Sequence, residues 1–475
     1  MNRIKLSILL ISMFFLPFIL ADIKYYDDLG RINLGYFYWS GDGRPLTEIF
    51  MRVITFGSPL TDLSPYTYII SIAAASISVV SLSNKIDRTA GVVIAATCFI
   101  SWNYISNAAY RFDNATMTMS LMFCILAASK EFTKYNTLTK TIFIIASLCL
   151  YQPSFGAYLC IAITIFLIDA TNGRKQTTRD IISKISPALI SIILYKTIIV
   201  TVFVFGDYAE KNSAMISSPY DLIRNTLNYF GFIKSNTPKL LFSAYISLFF
   251  LSLVCSWHIA FSRREVIVGI VPKLVIMLSP ILILLSVPSF LLLMKKIPDT
   301  ARAYTAFGTS FACFSIIIYS VFTSIRKTTT SVIAKLTVVA CSAYILYTLS
   351  AVSAFTGASK IQIKKYDSIA YTASMYANKN NQQCLSIIGT IPDGEGIEIV
   401  KLKYKFINNI LPAYADNYLS WMVHLINEYG YKMKSCGYDE WLEIKKRYKT
   451  IDVIYRSSLF TIRSDDKTLV IEFAN

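Results

Sequence analysis

Histidine is almost missing from this chain: His258 and His424 are the two among 475 residues. They are too few and too far apart for a metal cluster, and each fits an ordinary core or surface role. No CxxC occurs, which removes zinc ribbons and thioredoxin-like redox chemistry. Walker, GxSxG, HExxH and GxGxxG arrangements in a supporting context are missing too. A nucleotide-using reaction is therefore not expected, and no cofactor or metal is called for. Charge is scarce, 16% against 54% hydrophobic residues. The net charge of +17 would suit nucleic acid, but the basic residues are scattered between apolar runs rather than gathered on one face. Nucleic acid is excluded as a partner on that ground.

What the chain has in quantity is apolar runs. Crossing a hydrocarbon core of ~30 Å takes roughly 20 helical residues. Runs of that kind lie at 5–21, 66–83, 89–106, 115–130, 141–152, 154–169, 186–205, 239–260, 274–294, 304–325 and 336–356. They predict a polytopic α-helical membrane protein of about eleven spans surrounded by membrane lipids. The stretch 141–169 is short for two spans and is broken at Tyr151-Gln152-Pro153-Ser154. It reads as two short helices or as a re-entrant hairpin, which would leave nine spans plus a re-entrant pair. The basic start before residues 5–21 also describes a signal peptide, but Ile19 stands where a small residue would precede cleavage after Ala21. A retained first span with a cytoplasmic N-terminus is expected. Alternation from there puts the connections at 84–88, 130–140, 171–184, 262–273 and 326–335 inside, and these are much richer in Lys and Arg than in acidic residues. The positive-inside rule demands that asymmetry.

Residues 1–356 thus form the transmembrane region. Residues 357–475 form a polar, mixed-charge tail, long enough for its own small core. Alternating segments at 451–455 and 468–473 predict strands, and 417–432 has helical spacing. An odd number of spans places this small α/β domain outside.

Chemistry concentrates in the first outer loop, 22–65. It carries Asp27, Asp28, Arg31, Asp42, Arg44 and Glu48, interleaved with Tyr25, Tyr26, Tyr36, Phe37, Tyr38 and Trp39. A carboxylate beside apolar surface has its pKa raised, which suits a general base, and aromatic faces suit sugar rings. An interfacial aromatic belt with solvated charges is the bland alternative. Arg111 and Asp113 could line the same cavity or merely close their own turn, and Gln152 at the hairpin tip could orient a substrate or simply break a helix. Lys196 falls mid-span, where a lysine is a functional candidate unless it snorkels to an interface. Lys295, Lys296 and Arg302 cluster in an outer loop and suit phosphate. With no nucleotide motif, a reaction outside needs a lipid-carried donor.

Asp27-Asp28-Leu29-Gly30-Arg31, Gly43-Arg44-Pro45-Leu46, Tyr110-Arg111-Phe112-Asp113 and Tyr151-Gln152-Pro153-Ser154 together resemble the GtrII family of bacterial glucosyltransferases, which add glucose to the O-antigen of lipopolysaccharide. The resemblance covers residues up to about 356 in motif. It implies a GT-C type fold in the inner membrane and an undecaprenyl phosphate-glucose donor on the periplasmic face. It also implies an O-antigen polysaccharide acceptor, with serotype conversion as the outcome. Asp27 or Asp28 would then be the catalytic base of a single inverting displacement. Arg44, Arg111, Lys196, Lys295, Lys296 and Arg302 would meet the donor phosphate, while Tyr151, Gln152 and Asp113 orient substrate. An O-antigen polymerase or a lipid-linked sugar flippase is the competing reading; a transporter would put its polar residues inside broken spans. In the periplasmic tail, Tyr414, Tyr418 and Trp421 are expected to bind acceptor. Cys384 and Cys436, the two cysteines in polar sequence, are expected to form a disulfide there.

Overall fold

A computed structural model describes residues 2–473 apart from 87, 133–134, 205–213, 326–327, 378–383, 417 and 419. Among the described residues, seven helices are long and apolar enough to cross a membrane, and three shorter apolar helices accompany them. The chain is a polytopic helical membrane protein with a small C-terminal sheet. Helix α1 (Arg3–Ala21) and helix α4 (Tyr66–Ser83) flank two helices of the loop between them, α2 (Asp27–Leu34) and α3 (Pro45–Ile54). The most buried candidate spans are Gln152–Thr171 and Ala301–Ser324. These two pack on each other, and the helices Asn114–Ser129, Lys239–Ser262, Ile270–Ser286 and Thr328–Tyr376 pack against them. All seven cysteines outside the tail are buried small side chains.

The run 89–106, expected to be one span, is interrupted. A helix holds only from Arg88 to Ala96, and helix resumes briefly at Ile105–Ala109. Ser101 and Asn103 sit in the break, and their side chains bond to each other, to the Tyr344 hydroxyl and to the Tyr304 carbonyl. Irregular backbone at this depth is tolerable only where protein supplies such partners, and the segment is wholly enclosed. The stretch 141–169 consists of two helices, Asn136–Leu150 and Phe155–Thr171, joined by a tight turn at Gln152–Ser154.

One pole of the bundle gathers the start of α1 with Asn84, whose side chain accepts from Arg3 at 2.7 Å, and the Gln176–Val266 pairing. The loops holding Asp27, Arg111, Gln152 and Arg302 lie at the other pole.

The last long helix runs unbroken from Thr328 to Tyr376. The expected division at residue 356 falls inside it. Beyond it, five strands form one mixed sheet in the order β2-β1-β5-β4-β3, where β1 is Cys384–Ile388, β2 Lys434–Ser435, β3 Val453–Arg456, β4 Phe460–Ser464 and β5 Thr468–Phe473. β1 pairs in parallel with β2 and β5, while β4 is antiparallel to both its neighbours. A disulfide links Cys384 to Cys436 across a separation of 52 residues, tying β1 to the residue after β2. The segment with helical spacing at 417–432 is helical over Met422–Asn427; its residues 417 and 419 lie outside the described part.

The tail grips the loop between α1 and α4. Leu29 of α2 is part of the tail's core, packed with Tyr366, Tyr414, Met422 and Ile426. The Tyr25 hydroxyl donates to the Ile410 carbonyl at 2.6 Å, the Asn33 amide donates to the His424 carbonyl at 2.8 Å, and the Tyr414 hydroxyl donates to the Lys24 carbonyl. Lys24 pairs with Glu428 at 2.8 Å. Helix α2 is therefore set by the bundle on one side and by the tail on the other.

Candidate active site

Asp27 and Asp28 open α2, where negative charge meets the positive end of the helix dipole. Adjacent helical positions point about 100° apart, so the two carboxylates face different surroundings. Asp28 is fully buried. Its Oδ2 accepts the backbone N–H groups of Tyr25 and Arg111, both at 2.9 Å, and Oδ1 is enclosed with no partner among the described residues. Asp28 thus stitches the loop between α1 and α4 to the Tyr110–Asp113 turn. Asp27 is only half-buried and has no hydrogen bond or ion pair to any described residue. Burial raises its pKa, opposed by the charges of Arg31, Arg302 and Arg44 nearby. That is a carboxylate with three guanidiniums nearby and no bonded partner among the described residues.

The cations around it are held differently. Arg31, one turn on from Asp27, lies over the Trp39 ring at 3.9 Å and donates to the Phe37 carbonyl at 2.7 Å. Arg44 pairs with Asp113 at 2.7 Å, donates to the Leu150 carbonyl at 2.7 Å and lies over the Tyr151 ring. Asp113 also accepts the Trp39 indole N–H at 2.9 Å. Burial works against ionising Asp113, but the charges of Arg44 and Arg31 and the bonds from Arg44 and Trp39 outweigh it and hold the carboxyl below its ordinary range. Arg302 donates to the Tyr110 hydroxyl at 2.5 Å and lies over that ring, with no carboxylate partner among the described residues. Its backbone carbonyl accepts the Tyr151 hydroxyl at 2.9 Å. Gln152 donates to the Asp42 carbonyl at 2.9 Å and to the Tyr195 hydroxyl at 2.8 Å, and Tyr195 donates to the Gly43 carbonyl at 2.8 Å. Gly43 has φ of 74°, and a Cβ there would meet that tyrosine hydroxyl at 2.6 Å, so glycine is required at this close approach.

Asp27, Arg31, Arg44, Asp113, Tyr151 and Arg302 are thereby gathered into one cluster, with Gln152 bracing its edge. Other candidates stand apart. Arg111 is bound to Asp22 and lies 3.2 Å from Asp62, so its guanidinium is spent on the loop itself. Lys196 is exposed on a widened turn of the Thr178–Phe203 span, next to Tyr195. Lys295 and Lys296 are exposed beside the helix Pro219–Asn236, whose Arg224 donates to the Lys295 carbonyl at 3.3 Å. In the tail, Tyr414 is wholly buried, Tyr418 packs edge-on against Tyr438, and Trp421 is half-buried at 5.8 Å from His424. Arg31, Tyr36 and Trp39, which the sequence placed in the loop where chemistry concentrates without giving them separate roles, lie together beside Asp27, with Arg31 over both rings. Among the described residues, the one His/Cys/Asp/Glu group compact enough for a metal is Cys384, Cys436 and Glu440, whose sulfurs are joined to each other.

The enclosure of Asp28 has a consequence for stability. Burial pushes its pKa from 3.8 to about 8. Between those values the unfolded chain binds fewer protons than the folded one, so this group lowers stability as pH rises from about 4 to about 8. Asp28→Asn removes the effect. Melting of wild type and variant between pH 5 and 8 should show the wild type losing the more stability; parallel curves would exclude the shift.

No solved structure matches the chain. A relative from Salmonella phage P22, an "Uncharacterized 55.3 kDa protein in gtrB 5'region", is 27% identical over 263 residues, 52% of this chain and 54% of that protein. The match spans about half the length of that curated relative. The family profile "Glucosyl transferase GtrII" matches residues 16–319, well over half of the chain and the whole Asp27 cluster. The chain belongs to the GtrII glucosyl transferase family.

Proposed function

We propose that this protein transfers glucose from undecaprenyl phosphate-glucose to an O-antigen saccharide at the periplasmic face of the inner membrane, on a GT-C type scaffold. The carrying observation is the division of labour between the paired aspartates. Asp28 is consumed by backbone hydrogen bonds, while Asp27 is free, partly accessible and ringed by guanidiniums. In the reaction the acceptor hydroxyl gives its proton to Asp27 as its oxygen bonds to the anomeric carbon. The bond from that carbon to the phosphate oxygen breaks, and the lipid phosphate leaves with inversion. Arg302, which like Arg31 has no carboxylate partner among the described residues, stabilises the charge that develops on the phosphate. The tail, which holds α2 in place, contributes to the acceptor side. Residues 1–356 supply the membrane-embedded catalytic region and 357–475 the periplasmic domain.

The direct test is the sugar composition of O-antigen from cells with and without the gene, with glucose expected only in its presence. Membranes supplied with polyprenyl phosphate-glucose should support transfer without nucleotide sugar. Transfer from UDP-glucose alone in washed membranes would overturn the donor assignment. Arg302→Lys keeps the charge but loses the planar fork, so it should raise the KM for the lipid donor and leave that for the acceptor unchanged.

A further inference from the structure

Gly30 lies three residues after Asp27 and so shares its face of α2. Two polar atoms from elsewhere in the chain converge over it: a methyl built on Gly30 would lie 3.0 Å from the Tyr36 hydroxyl and 3.4 Å from Nε2 of His424. Tyr36 comes from the loop after α2, and Arg31 lies over its ring at 5.1 Å. His424 comes from the tail. Its carbonyl is anchored by Asn33 at 2.8 Å, and the half-buried Trp421 ring stands 5.8 Å away at a 32° tilt. Burial disfavours the charged imidazole, leaving one nitrogen to donate and one to accept. Nδ1 is enclosed without a partner among the described residues, so Nε2 is the nitrogen turned toward α2. The lack of a side chain at Gly30 lets the Tyr36 hydroxyl and the His424 ring come close to the helix backbone, about one turn from the free carboxylate.

We propose that Gly30, Tyr36, Trp421 and His424 form the acceptor saccharide subsite, which presents a sugar hydroxyl to Asp27. The inference rests on the reading of Asp27 as the base. Trp421 packs against the apolar face of the ring, as aromatic side chains do with C–H-rich surfaces, while Tyr36 and His424 bond to ring hydroxyls. The choice of acceptor then lies in the tail, at the seam where it meets α2.

The test measures acceptor and donor KM separately, with a soluble O-antigen repeat-unit oligosaccharide and polyprenyl phosphate-glucose, for His424→Ala, His424→Gln and Trp421→Ala. Loss of a hydrogen bond or a packing face should raise the acceptor KM by roughly tenfold, with donor KM unchanged and partial recovery in His424→Gln. An unchanged acceptor KM in both alanine variants overturns the subsite. A parallel rise in donor and acceptor KM also overturns it, since that marks a general disturbance of α2. Binding of the same oligosaccharide to Asp27→Asn, with and without His424→Ala, separates the two claims. If Asp27→Asn is inactive yet binding is insensitive to His424, the subsite fails alone; if Asp27→Asn stays active, the base assignment fails and carries the subsite with it.

Discussion

Asp27→Asn should slow glucosyl transfer by roughly 10²–10⁴-fold, the usual loss when a general base is removed, while the protein inserts and folds as before. The amide keeps the shape of the side chain, and Asp27 bonds to no described residue whose partner would be stranded. Asp28→Asn should be far milder in activity, because the amide oxygen can still accept the N–H groups of Tyr25 and Arg111. The contrast between the two variants is the measurement. Equal losses in folded proteins, or a larger loss at Asp28, would reverse the assignment. Since burial raises the pKa of Asp27, the rate should climb with pH as the carboxylate ionises and then level off. An acid-favoured profile would instead mark Asp27 as a proton donor. Its surroundings suit that role, since the charges of Arg31 and Arg302 oppose the effect of burial on the carboxylate.

The bundle is legible in the sequence wherever an apolar run is both long and uninterrupted. The run 66–83 is the helix Tyr66–Ser83, and the alternating segment at 468–473 is the strand Thr468–Phe473. Hydropathy fails at 89–106 because it averages over a window and cannot see that Ser101 and Asn103 find partners on Tyr344 and Tyr304, more than 200 residues away. At 356 polarity rises within a helix that runs on unbroken to Tyr376, so the hydropathy boundary marks no break in the backbone. Charge is harder still. Sequence places six cations near a presumed phosphate, but which of them are neutralised depends on carboxylates brought in by tertiary structure. Asp22 and Asp62 claim Arg111, Asp113 claims Arg44, and Lys196, Lys295 and Lys296 lie exposed outside the cluster. The grip of the tail on α2 is equally invisible beforehand, since Leu29 and His424 are separated by nearly the whole chain.

Arg44 is the residue for which sequence and geometry part most clearly, and it supports the second large prediction. As a phosphate ligand it would tolerate truncation of Asp113, but the structure makes it half of a buried pair with side-chain exposures of 10% and 4%. Its Nε is committed to the Leu150 carbonyl, which also accepts Thr47 at 2.8 Å. Removing one partner of such a pair strands a buried charge, at a cost of roughly 3–5 kcal/mol. Asp113→Ala and Arg44→Ala should each lower unfolding stability by about that much. The double variant Arg44→Met, Asp113→Leu should recover most of it, because the desolvation penalty disappears with the charges. Arg44→Lys should also lose stability, as a single ammonium cannot span both Asp113 and Leu150. A phosphate role predicts the reverse pattern, a raised donor KM in Arg44→Lys with stability untouched. Unfolding in detergent read alongside donor KM therefore decides between a cation that meets the lipid phosphate and one that fixes α3 to the hairpin tip, leaving Arg302 to meet the donor.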